Sequence, residues 1–106
     1  MQTVIRSSDF ELTEALNSFI KEQASRTMKV CSNKVERLVV RLKDTNDPQQ
    51  EKECVVEVQL PNHATIVVSK KNANAYASIR EALERASRTA LRKLKKRRDR
   101  QYSHQM

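Results

Sequence analysis

Residues 74–100, NAYASIREALERASRTALRKLKKRRDR, constrain the fold of this chain more than any other stretch. Tyr76, Ile79, Leu83, Ala86, Ala90 and Leu94 recur at steps of three and four, the stripe of an amphipathic helix that needs an apolar surface to lie on. At about 100° per residue, Arg85, Arg88, Arg92, Lys95 and Lys96 fall within roughly a quarter turn nearly opposite that stripe. One side of this rod must be buried while the other stays in water. Between residues 80 and 100, ten Lys/Arg stand against Glu81, Glu84 and Asp99, so the segment holds +7 of the chain's formal +8. Everything before it is close to neutral.

The partner surface is legible upstream. Residues 2–7, QTVIRS, read as a short strand with Thr3 and Ile5 as the inward pair. Thr13 is placed to cap a helix, with Glu14 in its first turn and Leu16, Phe19, Ile20, Ala24 and Thr27 at helical spacing. That helix is expected to end between residues 28 and 32, and its exposed face carries Lys21, Arg26 and Lys29 with Glu22 between them. From residue 35 to 44 the period changes to two: Leu38, Val40 and Leu42 point one way, Arg37, Val39, Arg41 and Lys43 the other. Asn46, Asp47 and Pro48 supply turn chemistry, after which Cys54, Val56, Val58 and Leu60 alternate with Glu53, Val55, Glu57 and Gln59. Pro61 and Asn62 make a second reversal before Ala64, Ile66 and Val68, and Asn74 caps the long helix.

The predicted order is β-α-β-β-β-α, an α+β fold in which both helices cover one face of a four-stranded mixed sheet. One domain is expected over residues 1–98, with 99–106 as a flexible basic tail. The last helix, near 37 Å at about 1.5 Å per residue, should overhang strands of roughly 20–27 Å. No glycine occurs, which excludes a Gly-rich phosphate loop. Cys31 and Cys54 stand far apart without metal-ligand spacing and read as reduced core thiols. His63 lies in a turn and His104 near the end, neither with a catalytic partner, so no enzyme, cofactor or metal site is expected. With no long apolar run and no signal sequence, the chain reads as soluble and cytoplasmic, with no membrane or small-molecule partner. A membrane-surface helix is disfavoured because its apolar stripe is needed to cover the sheet.

The order and several strings resemble the ribosome hibernation promoting factor family in its short form, a family that includes the ribosome-associated translation inhibitor. The run from Ser69 through Lys70, Lys71, Asn72, Ala73, Asn74, Ala75, Tyr76, Ala77 and Ser78 to Ile79 is similar to the family's strand end, turn and helix start. Leu12-Thr13-Glu14-Ala15-Leu16 with Phe19 is similar to its first helix. Three departures stand out: Asn74 where the family has Asp, Pro61-Asn62-His63 where it commonly has Gly, and a more basic arm from Lys95 to Arg100. The resemblance implies binding to ribosomal RNA of the small subunit through Arg85, Arg88 and Arg92, with Arg26 on the first helix and Lys71 in the turn. Charge adds Lys70, Lys95 and Lys96 to this candidate surface. The family function implied is steric blockage of the mRNA and tRNA channel, inhibiting translation and stabilising inactive dimeric ribosomes under stress, with an auxiliary dimerising factor as a further partner. A general DNA- or RNA-binding regulatory module is the rival expectation, since the same rod could lie along duplex phosphates. Two Phe and two Tyr are too few for a base-stacking platform, so shape and charge would carry recognition.

Overall fold

The computed structural model describes residues 1–8, 11–45 and 52–104, with backbone alone from 97 onward. The elements are β1 (Gln2–Ser7), α1 (Glu14–Thr27), a single 3₁₀ turn (Ser32–Lys34), β2 (Arg37–Asp44), β3 (Lys52–Gln59), β4 (Ile66–Asn72) and α2 (Ala75–His104). The sheet runs β1-β2-β3-β4, with β1 parallel to β2 and the other pairs antiparallel. The fold is therefore the expected α+β arrangement, and α1 makes the crossover from β1 to β2.

Local chemistry explains where the elements begin and turn. Thr13 Oγ1 accepts the Leu16 N–H at 3.1 Å, satisfying one of the free amides at the start of α1. Asn74 Oδ1 accepts the Tyr76 N–H at 2.9 Å at the start of α2, so the Asn does the cap's work. Between β3 and β4, Asn62 has φ 61°, and the His63 N–H reaches back to the Leu60 carbonyl at 3.4 Å. Pro61 presets the preceding φ while Asn tolerates the left-handed position, so the hairpin turns without glycine. The turn built on Asn46, Asp47 and Pro48 lies outside the described residues.

Packing follows the two periods. Leu38, Val40 and Leu42 of β2 align with Val58, Val56 and Cys54 of β3, and Val56 and Val58 with Val68 and Ile66 of β4; all are buried on the helix side. Leu16, Ile20 and Ala24 of α1 and Ile79, Ala82, Leu83, Ala86 and Ala90 of α2 close over them. Each fully buried Leu, Ile or Val contributes about 1.5–3 kcal/mol. The helices run side by side in the same direction: the Phe19 and Tyr76 rings meet edge-on at 4.8 Å near one end, and Ser87 Oγ donates to the Thr27 carbonyl at 3.0 Å near the other. That second contact supplies a partner for a carbonyl in the last turn of α1.

Three expectations change. Thr3 shares its register position with Leu38 on the helix side yet is exposed, because a groove separates the start of β1 from α1; only Ile5 of the expected pair packs on the core. Val39, expected on the wet face, is buried: it sits between Val4 and Glu57 in the inner part of the sheet, where neighbouring side chains cover it. Helix α2 continues six residues past its expected end, so residues 99–104 have helical backbone. No Pro or Gly interrupts it, Lys, Arg and Gln are good helix formers, and the positive charge of the Lys and Arg suits a helix C-terminus.

Cys31 and Cys54 are buried free thiols. Burial, and secondarily the carboxylate of Glu53, pushes the Cys54 thiol up to about 12. An unfolded thiol ionises near pH 9, so the folded state is favoured in full below that pH and loses this contribution as pH rises toward 12. Urea denaturation across pH 8–11 is expected to show stability falling above pH 9, with a shallower fall for Cys54→Val.

Candidate nucleic-acid interface

The burial of one stripe dictates what α2 offers to solvent. With Ile79, Leu83, Ala86 and Ala90 against the sheet, Arg85, Arg88, Arg92, Lys95 and Lys96 are all exposed on the outer side. Among the described residues none of the five is in an ion pair. Their mutual repulsion is relieved by solvent and counterions, a state that a polyanion improves on. The arginines at 85, 88 and 92 stand on successive turns, about 5.4 Å apart along the axis, and each guanidinium can grip two phosphate oxygens. Leu94 is the last described residue of α2 packed on the core, so the helix projects beyond that contact by roughly 15 Å at about 1.5 Å per residue. The chain accordingly measures 55 × 26 × 18 Å.

The structure does not bring every expected site residue to this surface. Arg26 is on the exposed side of the last turn of α1, and the neighbouring Thr27–Ser87 hydrogen bond sets that turn beside the middle of α2. Its guanidinium is 2.8 Å from Glu22, with both side chains about two-thirds exposed; such a pair is worth about 0.3–0.5 kcal/mol and exchanges readily for another anion. Lys70 and Lys71 belong to β4 rather than to a turn, and strand alternation sends them to opposite faces. Lys70 aligns with buried Cys54 and is half-buried on the helix side. Lys71 aligns with Glu53 on the open face, so the sheet lies between it and the arginine row.

That open face has a different electrostatic character. Arg41 is 3.2 Å from Glu57, and Ser69 Oγ donates to Glu53 at 2.9 Å, so its two β3 carboxylates have partners close by. Mixed, paired charge of this kind makes an ordinary wet surface. Arg80, outside the expected row, is also exposed one turn into α2, and its place in the same basic run is a usable signal in the sequence. Ser87 carries no such signal, because its bond to α1 depends on a contact across sixty residues that no local pattern announces. Among the described residues no group of three His, Cys, Asp or Glu comes together, and no helix is long and apolar enough to cross a membrane.

The chain has an α+β fold whose positive charge is concentrated on one projecting helix. The chain belongs to the Sigma 54 modulation protein / S30EA ribosomal protein family, whose profile matches residues 3–99. That membership places it among ribosome-associated proteins of the modulation class. Two solved structures share the fold. A ribosomal subunit interface protein from Coxiella burnetii is 17% identical with TM-score 0.76, over 90% of this chain and 98% of that one. The N-terminal domain of Thermus thermophilus Protein Y is 20% identical with TM-score 0.72, over 87% and 98%. Among curated proteins no sequence matches.

The placement of the lysines yields a contrast. Arg88→Glu is expected to lower the salt concentration that releases the protein from immobilised ribosomal RNA, whereas Lys71→Glu, altering only the far face, should elute close to the wild type.

Proposed function

We propose that this chain is a ribosome hibernation factor of the short form, which lays the outer face of α2 along ribosomal RNA of the small subunit and obstructs the channel used by mRNA and tRNA. The observation that carries this reading is the row Arg85, Arg88, Arg92, Lys95 and Lys96, exposed together on a rigid helix with no ion-pair partners among the described residues. Family membership supplies the ribosome as the polyanion. The name of one structural neighbour, a ribosomal subunit interface protein, agrees with it.

The mechanism needs no catalytic group. Each phosphate neutralised by Lys or Arg releases condensed counterions, and binding weakens as salt rises. The rod supplies charge at fixed spacing, while the domain behind it supplies bulk. A body 26 × 18 Å in cross-section, seated in a channel, excludes other occupants by volume alone. Arg26 extends the contact to α1, and Lys70 borders it from the helix side of β4. Inhibition of translation and stabilisation of inactive ribosome dimers under stress, with an auxiliary factor completing the dimer, follow as consequences of that occupancy in the cytoplasm.

Sedimentation with purified small subunits, large subunits and duplex DNA over a salt series tests the reading. Retention on small subunits at salt that strips the protein from DNA is expected. Equal loss from all three would leave a general nucleic-acid-binding module in its place. Arg85→Glu combined with Arg92→Glu should abolish small-subunit association with an unchanged circular dichroism spectrum, since each lost phosphate contact removes roughly 0.7–0.9 from the salt slope. A cell-free translation assay at saturating occupancy should show inhibition by the wild type and none by the double variant.

A further inference from the structure

We propose that the groove between β1 and α1 is a docking site for an extended acidic peptide, which adds to the free edge of β1 as a fifth strand. The sheet order leaves β1 with one neighbour. The Gln2 and Ser8 N–H groups donate to the Glu36 and Leu42 carbonyls of the β2 side, both at 3.2 Å, so the even-numbered amides of β1 face β2. By alternation Thr3 and Ile5 turn their N–H and C=O groups to the free edge. β1 contains no proline, and its register with β2 is unbroken from Gln2 to Ser7, so it lacks two devices that commonly blunt an edge. The other edge strand, β4, ends in Lys70, Lys71 and Asn72.

Beside this edge the groove encloses about 660 Å³ and is bordered by Thr3 on one side and by Lys21, Ser25 and Lys29 on the other. Thr3 is exposed into it although its register partner Leu38 is buried, so there is room against the strand. Its one carboxylate, Glu22, is held by Arg26 at 2.8 Å, while Lys21 and Lys29 have no ion pair among the described residues. A strand added at Thr3 and Ile5 would send alternate side chains along that basic wall, and carboxylates suit those positions. A second copy of this chain suits them poorly, because its own β1 brings Arg6, and the α1 side of its own groove brings Lys21 and Lys29, into the same space. A phosphate chain fits the lysines but not the edge: the edge alternates donors with acceptors, which a peptide backbone completes and phosphates, as acceptors only, do not.

The test uses the intact protein and a fluorescent peptide of about eight residues alternating Glu with Val. Saturable binding is expected, with slowed hydrogen exchange at the Thr3 and Ile5 amides. Thr3→Pro removes an edge donor without touching the ladder to β2, and is expected to weaken binding by about tenfold or more. Lys21→Glu with Lys29→Glu should weaken it similarly, and replacing Glu by Gln in the peptide should do the same. The proposal is overturned by absence of saturable binding, by binding that leaves exchange at Thr3 and Ile5 unchanged, or by a polyphosphate chain that protects those two amides as well as the peptide does.

Discussion

Ile79, Leu83, Ala86 and Ala90 leave water against β3, β4 and α1, and that burial decides which side of α2 its cations occupy. The helix has one apolar stripe, and turning it away from the sheet would expose the stripe and press arginines into a core of Val, Leu and Ile. Two or three side chains of that size outweigh any preference an exposed charge has for its surroundings. The alanines contribute by being small, since they let the helix axis approach the sheet while Leu83 and Ile79 fill the space between. The cationic surface is thus a product of core packing, and α1 is fixed to it through Ser87 and the Phe19–Tyr76 contact.

The two broad surfaces of the molecule differ in how they treat charge. On the open face of the sheet, carboxylates of β3 are interleaved with the basic residues of β2 and β4, and Arg41 with Glu57 shows the short-range pairing that results. Along α2 no acid occurs between Glu84 and Asp99, and the cations of that stretch follow one another without interleaved carboxylates. Paired charge leaves little field beyond a few ångströms, whereas unpaired charge projects its field to the limit set by salt, about 8 Å at physiological ionic strength. This contrast makes the outer side of α2 the more strongly positive surface, and Lys71 stands on the quieter side despite its nearness in sequence.

Most of the architecture could be read from residue types because each element follows one period and one cap. The period-two run around Leu38, Val40 and Leu42, the three-four stripe of α2 and the side chains of Thr13 and Asn74 are local signals, and local geometry obeyed them. The differences arise where distance or position in the sheet decides. Thr3 has the right alternation for the core but stands at an edge that α1 leaves uncovered. Val39 has a wet-face position but is enclosed by neighbouring strands. Lys70 and Lys71 look like one basic pair in sequence, yet a strand separates consecutive side chains by the thickness of the sheet. The outer row of α2 was legible in full, because on a helix the angle between residues is known once the buried stripe is identified.

The basic arm at the end of α2 makes the molecule electrically polar along its length. Both helices end toward the side from which the basic arm projects, and ten of the chain's Lys/Arg are concentrated between residues 80 and 100, so the centre of charge is displaced far from the centre of mass. In the field of a large polyanion such a body experiences a torque before it experiences contact. The arm reaches roughly 15 Å beyond the last core residue of its helix, more than a screening length, so its tip enters the counterion layer while the domain is still in bulk solvent. Near such a polyanion, orientation would precede contact. Encounters that began with the wrong end forward would be turned around in solution, and any search for a fitting site would start from an already aligned molecule.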